Sequence, residues 1–258
     1  MSTIKIDNLS FSYDQIEVFR DLCFTLRKDK SLSIIGGSGE GKTTLLKILN
    51  GDLKYNGNVL INGKEVSCNS NNIYSVVFKD TPFINKVVKD ELRYALENLE
   101  FSKNEIDSKI NILNDYFSIK KILNKDISSL SRNDKILVKI LSYAITNPCY
   151  LALDDLLVYL NNRTKILLLN YLNSNNVILI NVTSDLEDVI YTDYILCLYK
   201  GISAIDGKTM DVLANEKLLK RLGFSLPFMY DLSMQLKLYG LVKKVYFNKE
   251  LLVKNLWK

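Results

Sequence analysis

The sequence predicts an α/β fold with a mostly parallel sheet, and three observations carry that expectation. Residues 31–35 (Ser-Leu-Ser-Ile-Ile) read as a short buried strand, followed at once by a glycine-rich segment and then by a helical stretch from Thr44 to Asn50 that stops at Gly51. A second apolar run, within residues 147–155 (Asn-Pro-Cys-Tyr-Leu-Ala-Leu-Asp-Asp), follows an apolar helical stretch and ends in two carboxylates, Asp154 and Asp155. Strands that alternate with helices in this way build parallel sheets, because the connection between parallel neighbours needs a crossover.

Composition bounds the rest. At 258 residues, 47% hydrophobic and 24% charged, the chain has the length to bury one large core plus an appendage, and one main domain is expected. Three prolines and eleven glycines leave no linker of low complexity, and no internal repeat is visible. The formal charge of +5 comes from scattered lysines and six arginines, without the dense basic stripe of a nucleic-acid surface, so no nucleic-acid partner is expected. Cys23, Cys68, Cys149 and Cys197 show no Cys-x-x-Cys spacing, and the chain has no histidine, so a zinc site is not expected. Cys149 and Cys197 lie in apolar runs and are expected to be buried, reduced thiols, which suits a cytoplasmic compartment. The first residues lack the basic-then-apolar pattern of a signal peptide, and no stretch approaches the roughly 20 apolar residues of a membrane span. A role at a membrane would then require a partner to hold the chain there, peripherally on the inner face.

The glycine-rich segment Gly36-Gly37-Ser38-Gly39-Glu40-Gly41-Lys42-Thr43 matches G-x-x-x-x-G-K-[ST]. Glycines let backbone N–H groups close around phosphates, and the start of the following helix, Thr44 included, adds the positive end of its dipole. Lys42 is expected to reach the β- and γ-phosphates, and Thr43 to offer its hydroxyl to Mg2+. Asp154, at the end of its strand, is expected to hold the same Mg2+ through the metal's water shell, and Asp155 to polarise an attacking water.

The order of motifs along the chain resembles an ABC-type ATPase of the P-loop NTPase class. Leu9-Ser-Phe-Ser-Tyr13 is similar to the segment whose aromatic ring stacks on adenine, which places Tyr13 there. Residues 56–63 are similar to the strand and turn after the phosphate-loop helix, and residues 126–135 (Asp-Ile-Ser-Ser-Leu-Ser-Arg-Asn-Asp-Lys) to the signature motif, with Ser131 at its serine. Residues 206–213, 222–227 and 232–241 resemble the C-terminal segment of energy-coupling factor (cobalt/vitamin-type) transporter ATPases, and residues 87–98 resemble that group's helix after the Q-loop. The resemblance implies a β-rich N-terminal layer and a helical subdomain near residues 86–147 within a nucleotide-binding domain at 1–208. It also implies a small C-terminal extension at 209–258, a candidate dimer contact. ATP and Mg2+ are the implied cofactors. The implied partners are a second ABC ATPase chain, in a homo- or heterodimer, and an integral membrane transporter subunit gripped near the Q-loop and the helix after it.

Five positions depart from that family's pattern. Lys79 stands at the Q-loop glutamine, and a cation there is repelled by the metal, so it is expected to pair with a phosphate or Asp155, or to point to solvent. Arg132 and Asn133 fill the two glycine positions after Ser131, and Asp134 adds an anion, which should impair close approach to the facing subunit's γ-phosphate. Asp155 is one methylene shorter than the family's glutamate. Asn161 replaces an aspartate of the D-loop. Ser184 replaces the switch histidine and is too short to bridge to a γ-phosphate or to carry charge at neutral pH.

The expected function is therefore ATP-driven coupling in a transporter, with Asp155, Lys79 and Ser184 as altered catalytic positions and hydrolysis weakened. Two alternatives stand beside it: a subunit that binds ATP without hydrolysing it, for assembly or regulation, and a soluble ABC protein outside transport.

Overall fold

The computed structural model describes residues 2–27, 29–66, 74–247 and 249–256. Two sheets organise them. The first is antiparallel, with β1 (Ser2–Tyr13), β2 (Ile16–Arg27), β4 (Asn56–Ile61) and β5 (Lys64–Glu65) in the order β2-β1-β4-β5. β2 shows the reason for its place: Phe19, Leu22, Phe24 and Leu26 are buried while Arg20, Cys23, Thr25 and Arg27 face outward. Its period slips once, between Phe19 and Leu22, where the pairing with β1 shifts register and Asp21 takes a φ of 48°.

The second sheet holds β3 (Leu32–Ile35), β6 (Tyr74–Val77), β7 (Tyr150–Asp154), β8 (Ile178–Thr183), β9 (Tyr194–Tyr199) and β10 (Ile202–Lys208), in the order β10-β9-β3-β8-β7-β6. Every neighbouring pair is parallel except β9 with the edge strand β10. The central strands are buried on both faces. In β7, Tyr150 and Ala152 join one core cluster and Leu151 and Leu153 the other, which is why its sequence is continuously apolar rather than alternating.

One cluster lies between the two sheets and takes in α1 (Lys42–Leu49) through Leu45, Leu46, Ile48 and Leu49. The opposite face of the parallel sheet is covered by α2 (Val88–Asn98), α3 (Lys103–Phe117), α4 (Arg132–Ala144) and α5 (Asn162–Ser174), packed through Leu92, Ile110, Ile140 and Leu168. Residues 209–256 form α6 (Thr209–Leu213), α7 (Glu216–Arg221), α8 (Phe228–Leu238) and α9 (Lys249–Leu256). Leu213, Leu219, Phe224 and Tyr230 pack here against Ile195 and Cys197, and Val242, Tyr246 and Leu252 make a small separate cluster.

Several expectations need adjusting. The strand of the phosphate loop begins at Leu32 rather than Ser31, and its helix begins at Lys42 rather than Thr44, because the loop's last glycine serves as the N-cap. The stop at Gly51 is as expected: Gly51 has a φ of 82°, its N–H donates to Ile48 O, and Asp52 N–H donates to Lys47 O, the paired bonds of a Schellman cap. Cys197 is buried but Cys149 is exposed, since it precedes β7 in the turn after Pro148, beyond the reach of the covering helices. Cys68 lies outside the described residues.

Candidate functional site

The C-terminal ends of β3, β7 and β8 lie side by side in the parallel sheet, and the expected site residues follow from them: Gly36–Thr43 after β3, Asp154 and Asp155 at the end of β7, and Ser184 after β8. Loops at this edge of a parallel sheet share one crevice, so residues far apart in sequence meet there.

The glycine loop uses its glycines in two ways. Gly39 and Gly41 have φ of 84° and 85°, a left-handed region that side chains adopt at a cost. Gly41 is also crowded, because a Cβ there would lie 2.7 Å from a Val18 methyl and 2.9 Å from the Phe19 ring, so β2 packs directly against the loop. Glu40 anchors the loop from the other side: its carboxylate accepts from the Lys200 backbone N–H at 2.5 Å. We expect Gly41→Ala to lower unfolding free energy by at least about 1–2 kcal/mol from the backbone conformation alone, with further loss from the clash. Urea unfolding checks this, and an unchanged midpoint would mean that the loop relaxes freely.

Lys42 and Thr43 open α1 and turn in opposite directions. Lys42 is nearly buried, and its Nζ donates to the carbonyl oxygens of Gly36 and Gly37, both at 2.8 Å, so the ammonium lies folded over the loop it is expected to serve. Burial lowers its pKa, opposed by the charges of Asp155, Asp154 and Glu40. Thr43 Oγ1 donates to Asp154 Oδ2 at 2.9 Å. Burial raises the pKa of Asp154, the Thr43 hydrogen bond lowers it, and the neighbouring charge of Asp155 raises it again. A hydroxyl and a carboxylate in contact, beside further carboxylates, form an oxygen-only donor set, the chemistry that suits Mg2+.

Asp155 takes a left-handed backbone, φ 52°, with its N–H donating to Val182 O at 2.9 Å. That twist turns the carboxylate toward the next strand's end, where Oδ1 accepts from the Ser184 backbone N–H at 3.3 Å. Asp155 and Ser184 therefore meet, but through the backbone of Ser184 and not its hydroxyl.

The remaining expected residues lie elsewhere. Tyr13 ends β1, is 42% exposed, and sets its ring at a right angle to that of Phe11 with the centroids 4.8 Å apart. Ser131 caps α4: its hydroxyl accepts from Asp134 N–H at 3.1 Å and donates to Asp134 Oδ2 at 2.7 Å. Ser38 and Gly39 lie exposed at the tip of the loop, and Thr44 is buried beneath it.

Lys79 is exposed, as one of the expectations had it, and makes no ion pair with Asp155. Its ammonium lies 5.7 Å from the ring centre of Tyr159, and the Arg132 guanidinium lies over the same ring at 4.1 Å. Asn133 Oδ1 accepts from the Asn161 backbone N–H at 3.2 Å. Thus three of the five departures, at Lys79, at Arg132 and Asn133, and at Asn161, meet one another around the turn Leu157–Tyr159. Tyr159 is the residue that reading along the chain missed. Its signal was an aromatic ring close after the paired carboxylates, meaningful only beside the two unexplained cations.

Comparison with known proteins places this geometry. The family described as "ABC transporter" matches residues 19–158. The "Energy-coupling factor transporter ATP-binding protein EcfA" of Malacoplasma penetrans is 31% identical over 266 residues, covering 98% of this chain and 93% of that protein. The EcfA1 protein of Mycoplasma genitalium is 28% identical, covering 97% and 95%. Among solved structures, cbiO1 from Clostridium perfringens, part of the ABC transporter complex cbiONQ, superposes with a TM-score of 0.75 at 21% identity, covering 86% of this chain and 94% of that one. A nucleotide-free ATP-binding cassette from an ABC transporter gives 0.72 at 18% identity. These superpositions bear on the fold, which is that of the ABC ATPases.

Proposed function

Because the chain belongs to the ABC transporter family, as an ATP-binding subunit, we propose that it is an energy-coupling factor type ATPase that couples ATP binding, and weakened hydrolysis, to solute uptake. The observation that carries this reading is the junction of the glycine loop with β7: Lys42 over the loop carbonyls and Thr43 bonded to Asp154. In this reading Gly36, Gly37, Ser38, Gly39, Glu40, Gly41 and Thr44 surround the phosphates with backbone N–H groups, and Lys42 exchanges its two carbonyls for phosphate oxygens. Tyr13 offers its exposed ring to adenine. Thr43 and Asp154 hold Mg2+, which supplies charge neutralisation at the phosphates.

The binding test is equilibrium titration with a fluorescent ATP analogue. A charge-assisted contact contributes about 1.5–3 kcal/mol, so Lys42→Ala should weaken binding by roughly ten- to a hundredfold. Unchanged affinity would overturn the phosphate-loop assignment.

A partner in the membrane is part of the proposal, since among the described residues no helix is long and apolar enough to cross one. The surface that supports it is a groove of about 260 Å3 between the segment after Lys79 and helices α2 and α4, lined by Pro82, Ile84, Tyr94, Leu99 and Tyr143. Its wall is held by the buried Glu91 carboxylate, which accepts from the backbone N–H groups of Ile84 at 3.1 Å and Asn85 at 2.7 Å. We read residues 1–208 as the nucleotide-binding domain and 209–258 as an extension that meets a second ATPase chain. The exposed Phe228, Leu238, Tyr239 and Leu241 support that contact. The protein then works in the cytoplasm, held peripherally at the inner face of the membrane.

A second reading, a subunit that binds ATP without hydrolysing it, is favoured by one observation. The Asp155 carboxylate, the candidate general base, is occupied by the Ser184 backbone, and no histidine exists in the chain to complete the site.

A further inference from the structure

Lys79 poses a problem that the fold must solve. In the paired strands β6 and β7, Val77 lies opposite Leu153, so Lys79 and Asp155, each two residues further on, leave the sheet at the same level. An ammonium on a flexible four-carbon stem is thereby delivered to the carboxylate edge of the site, within reach of the charges of Asp155 and Asp80. An unrestrained cation there would compete with Mg2+ for those carboxylates.

The structure shows what restrains it. The Lys79 carbonyl accepts from Lys139 Nζ at 2.9 Å, which fixes the loop. The Lys79 ammonium lies toward Tyr159, 5.7 Å from its ring centre, and the Tyr159 side chain, followed by the charges of Asp155 and Asp80, raises its pKa. The ring itself carries the Arg132 guanidinium at 4.1 Å, a planar cation suited to stacking. Among the described residues neither Lys79 nor Arg132 has a carboxylate within ion-pair distance, so Tyr159 is the partner the two cations share.

We propose that Tyr159 is a positioning residue that holds the Lys79 ammonium away from the metal-binding carboxylates and so keeps the site open to Mg2+. The inference rests on the nucleotide-binding reading above, and it explains why a cation is tolerated next to a metal site.

The test is binding of a fluorescent ATP analogue to the purified full chain, titrated with MgCl2 and repeated in EDTA. Tyr159→Ala should raise the Mg2+ concentration for half-maximal tight binding on the order of tenfold, as loss of a residue that orients a metal site does. Metal-free ATP should bind no more weakly than to the unmodified chain. Tyr159→Phe keeps the ring and its packing and loses only the hydroxyl, so it should show a smaller rise, and it carries the test if the alanine variant does not fold. The Lys79→Ala/Tyr159→Ala pair should return the Mg2+ requirement to the original value or below, which a merely structural role for Tyr159 would not do. An unchanged Mg2+ requirement in both Tyr159 variants, equal weakening with and without Mg2+, or no recovery in the double variant would each overturn the inference. If Lys42→Ala leaves binding intact, the nucleotide reading falls and this inference with it. If Lys42 is required and the Mg2+ requirement does not move, this inference falls alone.

Discussion

Replacing Asp188 with alanine is expected to lower the unfolding free energy by about 3–5 kcal/mol, the range for removing one partner of a buried ion pair. Asp188 and Lys165 meet at 2.6 Å, with side chains only 3% and 10% exposed. Burial raises the Asp188 pKa, while the Lys165 hydrogen bond and charge oppose that rise, so the carboxylate depends on its lysine to stay ionised. Removing either side chain leaves the other charge in an apolar setting. Lys165→Ala should therefore cost a similar amount. The paired replacement Lys165→Met/Asp188→Leu should recover most of the loss, because well-packed apolar side chains match a buried ion pair in stability.

The pair also has a place in the site. Lys165 belongs to α5, which starts directly after Asn161, and Asp188 lies in the short helix Leu186–Tyr191, just after Ser184. It thus ties the segment after β7 to the loop after β8. Urea unfolding of the two single variants and the double variant measures the effect. Additive losses in the double variant would show that the two charges do not support each other.

What could be read from the sequence was what adjacent residues decide. A short apolar strand, a glycine loop and a helix that ends at Gly51 are local events, each fixed by allowed backbone angles and hydrogen bonds within a few residues, and each is where the sequence places it to within two residues. The meeting of Thr43 with Asp154 spans 111 positions, yet it was legible because both segments follow strands whose neighbourhood the parallel topology dictates. Cys149 failed for the complementary reason. An apolar run says that a strand is near, but not where helical cover begins, and Cys149 stands just outside it.

The altered positions are the hardest to read, because the contacts that decide their roles join residues far apart in sequence. Asp155 was expected to fall short by a methylene. In the structure its backbone twists into the left-handed region and sends the carboxylate to the Ser184 N–H. Asp134 was counted only as an added anion, although its spacing from Ser131 is that of a capping pair, which is the role it plays. Lys79, Tyr159 and Arg132 are separated by dozens of residues, and no periodicity announces that they share one ring.

The largest functional effect concerns turnover, and it follows from the shared geometry of an ABC dimer. In the dimer that the family resemblance implies, each composite site would take its phosphate loop, the carboxylates after β7, its Q-loop and its switch residue from one chain and its signature from the other. On that arrangement Lys79, Asp155 and Ser184 are expected to weaken the site built on this chain's own loop. Asp155 alone is shorter than a glutamate by about an ångström and is held by the Ser184 backbone, and a displacement of that size costs on the order of a hundredfold in rate. Arg132 and Asn133 are expected to weaken the other site. In this segment Ser131 and Arg132 are exposed, with Ser131 bonded to Asp134, Asn133 to Asn161, and Arg132 over Tyr159. A homodimer carries every defect in both sites. A heterodimer with an intact partner carries the catalytic defects in one site and only the poor signature in the other. We therefore expect the purified chain to show ATP hydrolysis no more than about a hundredth of that of a heterodimer. The heterodimer's slow turnover should occur at the partner's loop and vanish when the partner's catalytic glutamate is changed to glutamine. Steady-state ATPase rates of the chain, the reconstituted complex and that variant complex decide the matter. Brisk hydrolysis by the chain alone would show that Lys79, Asp155 and Ser184 form a working alternative site, and the reading of these positions as losses would then be wrong.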